Sequence, residues 1–371
     1  MTVRMNAFDV EPPELVEEEL AAIERVIRSG WWVLGNEVAA FEQAWAHQAS
    51  ANHAVGVGNG MDAIEIGLRA LGIGPGDEVI TTPMTAFATV LAITRAGATP
   101  VLADIDSDTA MLDPESVERC ISSVTRAVLL VHLYGQAGPV GEIASICAQH
   151  GIHLIEDCAQ AHGAMIDGQT VGSFGAFAAW SFYPTKNLGA LGDGGALTTS
   201  NEDIAEKARV LRNYGQSVRY VHTELGLNSR LDELQAAILL VRLKHLNDWT
   251  ETRRSIARSY AAGIDHPAVR VLPLGGPPER HVHHLFVLTC QRRTDLAEHL
   301  ASREVECFSH YPIPIHKQTP TAGLRTDPAG LTRAERHAAT CLSIPCRPYL
   351  QSGEIEQVIS AINDFPSRDR P

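Results

Sequence analysis

The chain has 371 residues and a formal net charge of −14 at pH 7, with 45% hydrophobic and 20% charged residues. The length favours a large domain plus a smaller one, and the composition is typical of a soluble globular protein. The acidic charge argues against a general nucleic-acid binder or a protein of anionic membrane surfaces.

The seven cysteines form no C-x-x-C pair and no regular framework. Such usage favours reduced thiols in a cytoplasmic protein. The N-terminal segment lacks the apolar region of a secretion signal, and nothing approaches the roughly 18 apolar residues that span a membrane. We therefore expect a cytoplasmic protein without a membrane partner.

Two helices are predicted before the first strand. The first begins at Pro12-Pro13 and ends at Gly30, because proline suits a first helical turn and glycine a helix end. Its apolar residues recur at helical spacing, at Val16, Leu20, Ile23 and Ile27. The second covers 36–49, with Val38, Phe41 and Trp45 on one face.

From residue 54 to about 199, short β-rich runs alternate with helical runs. We predict strands at 53–57, 77–81, 99–104, 127–132, 152–156, 176–182 and 195–199. Helices are predicted between them at 62–71, 86–95 and 141–150. This alternation indicates an α/β fold with a mainly parallel sheet covered by helices on both faces. Ligands of such folds bind beyond the carboxyl ends of the strands, so residues that follow strands are the first candidates.

The second half of the chain changes its order of elements. Helices are predicted at 201–214 and 231–249, the latter long enough to connect two domains. After residue 253 we predict a helix, a strand at 282–288, a helix at 296–303, a proline-rich stretch and a closing helix at 353–364. The domain boundary is therefore placed near residue 250, with a large domain 1–250 and a small domain 251–371.

Two candidate features follow the first two strands. Gly58, Asn59 and Gly60 precede a helix, where free backbone N–H groups suit a phosphate. The alternative is an ordinary glycine turn. Phe87 follows the second strand and could stack on a flat ring or belong to the core.

Two further candidates are charged. Asp157 emerges from strand 152–156, where it could cap a following helix or pair with a protonated pyridine nitrogen. Lys186, one of only four lysines, stands in a tight turn between Pro184 and Gly189. A desolvated lysine amine forms Schiff bases. A phosphate cradle, a ring-stacking aromatic, a carboxylate and a lysine are together what pyridoxal phosphate requires.

The sequence resembles the sugar aminotransferases of the DegT/DnrJ/EryC1/StrS family, which are fold-type I pyridoxal-phosphate enzymes. The resemblance runs from WWVLGNEVAAFE to the C-terminal helix and includes VGNGMDAIEIGLRALGIGPGDEVI, LIEDCAQAHGA, SFYPTKNLGALGDGGA, LRNYGQ and GLNSRLDELQAAIL. It implies a large domain with a central sheet between helices and a smaller C-terminal α+β domain. It also implies ping-pong transamination through pyridoxamine phosphate, with L-glutamate as the amino donor.

The resemblance assigns roles to individual residues. Lys186 matches the lysine that binds the cofactor aldehyde as a Schiff base and later moves the proton, and Asp157 matches the partner of the ring nitrogen. The remaining cofactor-binding residues implied are Asn59, Gly60, Met61, Phe87, Gln160, Ser181 and Asn228. Because Asn228 matches a residue that reaches the neighbouring subunit's phosphate, a homodimer with shared sites is expected.

The stretches GNGMDA and SHYPIPIH look more like enzymes that aminate C-3 of a nucleotide-linked 3-keto-6-deoxyhexose than like those acting at C-4. The expected nucleotide is dTDP. Candidate substrate-binding residues are Arg219, Tyr220, Tyr183, His310, Tyr311 and His316. Arg230 could instead meet the glutamate carboxylate or brace the dimer.

Other functions remain open at this point. They are a C-4 ketosugar aminotransferase, a non-catalytic regulator, a sugar dehydratase and a nicotinamide dehydrogenase. Lys186 argues against the dehydratases, which carry histidine there, and the dinucleotide fingerprint is missing. No metal is expected at His281, His283 and His284, because a strand would split them between faces and no carboxylate lies nearby.

Overall fold

A sheet of seven strands organises the first 200 residues of the chain, in a computed structural model that describes residues 2–274 and 276–366. The strands are β1 His53–Val57, β2 Glu78–Thr81, β3 Thr99–Leu102, β4 Thr125–Val131, β5 His153–Asp157, β8 Ala178–Ser181 and β9 Gly195–Thr199. Two short strands between β5 and β8, β6 Met165–Ile166 and β7 Gln169–Thr170, pair with each other.

The large sheet has the order β1-β9-β8-β5-β4-β2-β3. Strands β3, β2, β4, β5 and β8 are parallel, and β9 runs antiparallel to both of its neighbours. The predicted mainly parallel sheet is confirmed. Its parallel strands end along one edge, where Asp157 closes β5 and Ser181 closes β8.

Helices cover both faces of this sheet. On one face lie α3 Gly60–Ala70, α4 Phe87–Arg95 and α7 Glu202–Arg212. On the other lie α2 Asn36–Gln48, α5 Pro114–Cys120, α6 Val140–His150 and α8 Glu233–Leu243. Side chains of β4 point alternately to the two faces of the sheet. Ala127 and Leu129 pack in the core under α3, α4 and α7, whereas Val128 and Leu130 pack in the core under α5 and α6.

The first helix, α1 Pro13–Ser29, packs on α8 through a face other than the predicted apolar series. Leu15, Ala22 and Val26 are buried, whereas Leu20 is 53% and Ile27 60% exposed. The helix therefore presents an apolar stripe outward. In α2 the predicted residues Val38, Phe41 and Trp45 are all buried.

A three-stranded antiparallel sheet of the order β12-β13-β14 forms the centre of the C-terminal part. Its strands are β12 Val269–Val271, β13 Phe286–Cys290 and β14 Cys341–Ile344. The helices here are α9 Leu246–Gly263, α10 Arg293–Ser302, α11 Thr332–Thr340 and α12 Ser352–Asn363. A small hairpin, β10 Gln216–Val218 with β11 Val221–His222, lies between α7 and α8.

Two predicted elements are wrong in extent. The helix expected at 231–249 is two helices, because hydrogen bonds of three-residue spacing at Lys244 and His245 end α8. The strand expected at 282–288 begins only at Phe286, because the preceding residues bond to the turn after β4. Helices α5 and α11 and strands β12 and β14 were not predicted.

The predicted domain boundary near residue 250 falls within α9, which spans it, and the division stays a prediction. The predicted small domain 251–371 includes residues 367–371, which lie outside the residues that the structure describes. Among the residues described, no helix combines the length and apolar character that crossing a bilayer requires.

Candidate active site

Lys186 lies in a tight loop that leaves the end of β8. The backbone N–H of Lys186 donates to Tyr183 O at 2.8 Å, and that of Ala190 donates to Phe182 O at 2.8 Å. Gly189 is required in this loop, since a Cβ there would lie 2.4 Å from the carbonyl oxygen of Pro184. The loop is therefore folded back on itself and fixes where its lysine begins.

The amine of Lys186 is electrostatically unlike that of a surface lysine. The residue as a whole is half-buried. Loss of hydration lowers the pKa of the amine to about 8, and the nearby Asp157 carboxylate opposes that shift. At pH 7 about a tenth of the molecules therefore carry an uncharged amine, far more than for an ordinary lysine, and this is the form that a nucleophile or proton acceptor requires.

Asp157 is 5% exposed at the end of β5. Its Oδ2 accepts a hydrogen bond from Thr89 Oγ1 at 2.9 Å and its Oδ1 one from Ala159 N at 3.1 Å. Burial raises the pKa of the carboxyl group, while these donors and Lys186 act in the opposite direction. Asp157 does not cap a helix, because the next regular element after β5 is strand β6 at Met165–Ile166, so the helix-cap alternative is wrong.

The start of α3 is the predicted position of an anion cradle, which stays a prediction. Asn59 caps this helix, with its Oδ1 accepting from Asp62 N at 2.9 Å. The backbone N–H groups of Gly60 and Met61 donate to no described residue, as expected in a first helical turn. Ser181 is adjacent, because a Cβ on Gly60 would lie 2.8 Å from the Ser181 Cβ.

Three further predicted residues lie close to Lys186 and Asp157, namely Gln160, His310 and Tyr311. Gln160 Nε2 donates to the Tyr311 hydroxyl at 3.2 Å. Burial and the Asp157 charge raise the pKa of Tyr311 to about 12, and burial and the Lys186 charge lower the pKa of His310 to about 4. Both side chains are therefore neutral hydrogen-bonding groups beside the charged pair.

Phe87 is the first residue of α4 and is half-buried. Its side chain packs against a cluster that contains Val90, Leu102 and Ile315. The ring thus belongs partly to the core. Its stacking on a cofactor stays a prediction, although Thr89 on the same helix turn contacts Asp157.

The other predicted residues do not join this cluster within one chain. Arg219 and Tyr220 lie on the exposed β10–β11 hairpin, where the guanidinium lies 5.0 Å from the tyrosine ring centroid. His316 contacts Glu335 Oε1 at 2.9 Å. The exposed residues Tyr183 and Asn228 and the half-buried Arg230 complete this group, and Arg230 donates to Asn213 Oδ1 at 3.1 Å.

Several supporting residues were missed because nothing local in the sequence marks them. Thr89 supports Asp157, and Asn187 joins its Oδ1 to His284 Nδ1 at 3.2 Å. Tyr134, in the turn after β4, holds Gln160 Oε1 through its backbone N–H at 2.6 Å. The rule that ligands gather after strand ends would have selected Tyr134.

Glu156, the neighbour of Asp157, points to the opposite face of β5. It accepts backbone hydrogen bonds from Gly172, Phe174 and Gly175 and contacts His132 Nε2 at 3.1 Å. His132 Nδ1 accepts from Gly138 N at 3.0 Å, so Nε2 must carry the proton. With both imidazole nitrogens occupied, this buried group is a structural anchor and offers no histidine lone pair to a metal.

The residues present fit pyridoxal phosphate. The unpaired N–H groups of Gly60 and Met61 suit a phosphate, and Asp157 suits a protonated ring nitrogen. Lys186 suits an aldehyde. Close packing at the cradle supports this assignment, because a Cβ on Gly195 would lie 2.3 Å from the carbonyl carbon of Asn59.

Comparison with known proteins places this arrangement in a family. Residues 13–363 match the model of the DegT/DnrJ/EryC1/StrS aminotransferase family. A dTDP-3-amino-3,4,6-trideoxy-alpha-D-glucose transaminase of Streptomyces venezuelae is 44% identical over 96% of this chain and 94% of its own. A dTDP-3-amino-3,6-dideoxy-alpha-D-galactopyranose transaminase of Aneurinibacillus thermoaerophilus is 44% identical, covering 93% and 94%.

Solved structures agree. The crystal structure of DesV from S. venezuelae, in complex with a ketimine intermediate, superposes with a TM-score of 0.95 at 42% identity, and all of both chains is covered. The structure of NtdA from Bacillus subtilis, with the cofactor pyridoxamine phosphate bound, has a TM-score of 0.89 at 29% identity and covers 97% of this chain and 84% of its own.

The electrostatics of Lys186 predict a titration in the cofactor-free protein. With its four lysines ¹³C-methylated, one lysine resonance should titrate at about pH 8 and should vanish in Lys186→Met, which distinguishes it from the N-terminal amine that titrates in the same range. In Asp157→Asn the midpoint should move lower, because the lost carboxylate had favoured the charged amine. A Lys186 midpoint at about 10.4, the value of an exposed lysine, would contradict the inferred desolvation.

Proposed function

As a member of the DegT/DnrJ/EryC1/StrS aminotransferase family, this chain is a pyridoxal-phosphate-dependent sugar aminotransferase, and we propose that it aminates C-3 of a nucleotide-linked 3-keto-6-deoxyhexose. L-Glutamate is the proposed amino donor and dTDP the proposed nucleotide. The observation that carries the proposal is the desolvated Lys186 amine near the buried Asp157 carboxylate, together with the N–H groups at the start of α3 that donate to no described residue.

Bound pyridoxal phosphate supplies an aldehyde that combines with amines and a ring that accepts electrons from the amino-bearing carbon. In the amine form that desolvation favours, Lys186 would take the proton from that carbon and return it across the nitrogen to the former aldehyde carbon, two atoms away. The same lysine would act in both half-reactions, first with glutamate and then with the ketosugar.

The remaining residues would bind the charged groups of the cofactor, which are its ring nitrogen and its phosphate. Asp157 would keep the ring nitrogen protonated, since a buried carboxylate is most stable opposite a cation. Gly60, Met61, Asn59 and Ser181 would bind the phosphate. These groups lie on two neighbouring elements, α3 and the end of β8, and are therefore held rigidly to each other.

Two observations support C-3 as the position that is aminated. Both transaminases of 44% identity act, by their names, on 3-amino sugars linked to dTDP. GNGMDA and SHYPIPIH also resemble enzymes of that group. His310 and Tyr311 lie in the second stretch and are neutral polar groups beside Lys186 and Asp157, which suits recognition of sugar hydroxyls.

A second copy of the chain is the proposed partner. Large apolar side chains are exposed on the described surface, namely Trp31, Trp32, Tyr183, Leu191, Tyr220 and Leu225. Exposed apolar side chains of this size support a protein interface. Asn228 is exposed and makes no side-chain hydrogen bond within the described residues, so it is available to a neighbouring phosphate. Arg219 on its exposed hairpin would meet the sugar diphosphate in the same way.

A panel of ketosugars tests the regiochemistry. With glutamate as donor, the 3-keto-6-deoxy dTDP sugar should be aminated with a kcat/KM about a hundredfold above that of the 4-keto isomer, because a misplaced carbonyl leaves site groups unpaired. Lys186→Ala should abolish the reaction, whereas Lys207→Ala, on α7, should not. Preference for the 4-keto sugar would establish the C-4 alternative instead.

Subunit complementation tests the shared site. Lys186→Ala and Asn228→Asp should each be inactive, the latter because a carboxylate repels phosphate. Co-expressed with different tags, they should regain about a quarter of wild-type activity, since each mixed dimer holds one intact site. Mixed dimers as inactive as their parents would mean that Asn228 serves its own chain, and an active Asn228→Asp parent would mean that it has no cofactor role.

A further inference from the structure

Tyr134 occupies an unusual backbone position behind the site. It is 2% exposed, with φ of +62°, and Gly135 follows with φ of +94°. A left-handed conformation is costly for a bulky residue, so the surroundings must hold it. The main-chain groups of Tyr134 provide this hold, since its N–H donates to Gln160 Oε1 at 2.6 Å and its carbonyl accepts from Leu285 N at 3.2 Å.

The first of these bonds decides how Gln160 is oriented. A backbone N–H can only donate, so the side-chain oxygen of Gln160 must face Tyr134. The amide nitrogen is then turned toward the Tyr311 hydroxyl, 3.2 Å away. Tyr134 thus fixes Gln160 as a donor on the side where Tyr311 lies.

The hydroxyl of Tyr134 reaches a different segment. It donates to the backbone carbonyl of His310, which can only accept, and lies 2.9 Å from His337 Nε2. A hydroxyl has one proton, so His337 Nε2 must donate to it. Burial raises the pKa of Tyr134 well above its ordinary value and lowers that of His337 to about 4, so both groups are neutral.

We propose that Tyr134 is a positioning residue whose hydroxyl seats His310 and Tyr311 for the sugar while its backbone orients Gln160. The inference rests on the proposed function. This segment is also tied to β14, where Phe308 and Ser343 exchange backbone hydrogen bonds and Ser343 Oγ contacts His310 Nδ1 at 2.9 Å. Further along, Ile315 N donates to Pro83 O at 3.0 Å. Tyr134 therefore bonds the main chain of His310 directly to the turn after β4.

The Tyr134→Phe variant separates the two roles, because it removes the hydroxyl and keeps the backbone N–H. We expect the half-reaction with glutamate to change by less than about twofold, while KM for the ketosugar rises about tenfold. Tyr260→Phe is a matched control, since the buried Tyr260 hydroxyl donates to Pro345 O at 2.8 Å. It should leave both values unchanged.

Two results would overturn the proposal. One is an unchanged ketosugar KM in Tyr134→Phe, and the other is an equal rise in Tyr260→Phe. His337→Leu should raise KM and His337→Gln, which keeps an N–H donor, should restore it; equal effects of the two would also count against the proposal.

Hydrogen exchange measures how firmly the segment around His310 and Tyr311 is held, and it needs no sugar substrate. Amides of 308–316 should exchange about tenfold faster in Tyr134→Phe than in the wild type and remain unchanged in Tyr260→Phe. Unchanged exchange would refute the positioning role, whereas absent turnover in the wild type would refute only the proposed function.

Discussion

Removal of one amine and one carboxylate from water is the constraint on which the site depends. Lys186 and Asp157 each lose hydration, and each partly offsets the other's cost. The compensation is incomplete. The pKa of Lys186 therefore stays below its ordinary value, and the Asp157 carboxylate would be stabilised by a further positive charge. Both properties come from the same burial, which links the stability of this sheet edge to its chemistry.

The fold maintains this arrangement by supplying rigid neighbours. Thr89 comes from the first turn of α4 and holds one carboxylate oxygen, while the loop folded around Gly189 fixes the origin of the lysine. The C-terminal part contributes His310 and Tyr311 and bonds back to the turn at Tyr134. The site is thus assembled from sequentially distant segments that meet at the carboxyl ends of parallel strands.

Much of this could be predicted from the sequence because local patterns determined it. The β/α alternation located all seven strands of the main sheet, and glycine-rich or charged residues after strands marked Asn59, Asp157 and Lys186. The position of Tyr134 after β4 could have been marked in the same way, but its role and that of Thr89 could not, since both follow from partners far along the chain. The α8–α9 break was missed because apolar periodicity continues across it.

The most direct test of the claim that the Lys186 amine binds pyridoxal phosphate is a visible absorption spectrum. Cofactor-free protein mixed with pyridoxal phosphate and passed through a desalting column should retain a visible absorption band. Glutamate should bleach that band, 2-oxoglutarate should restore it, and Lys186→Ala should show neither change. Protein that stays colourless, or a band that glutamate leaves unaltered, would contradict the assignment of Lys186 and Asp157.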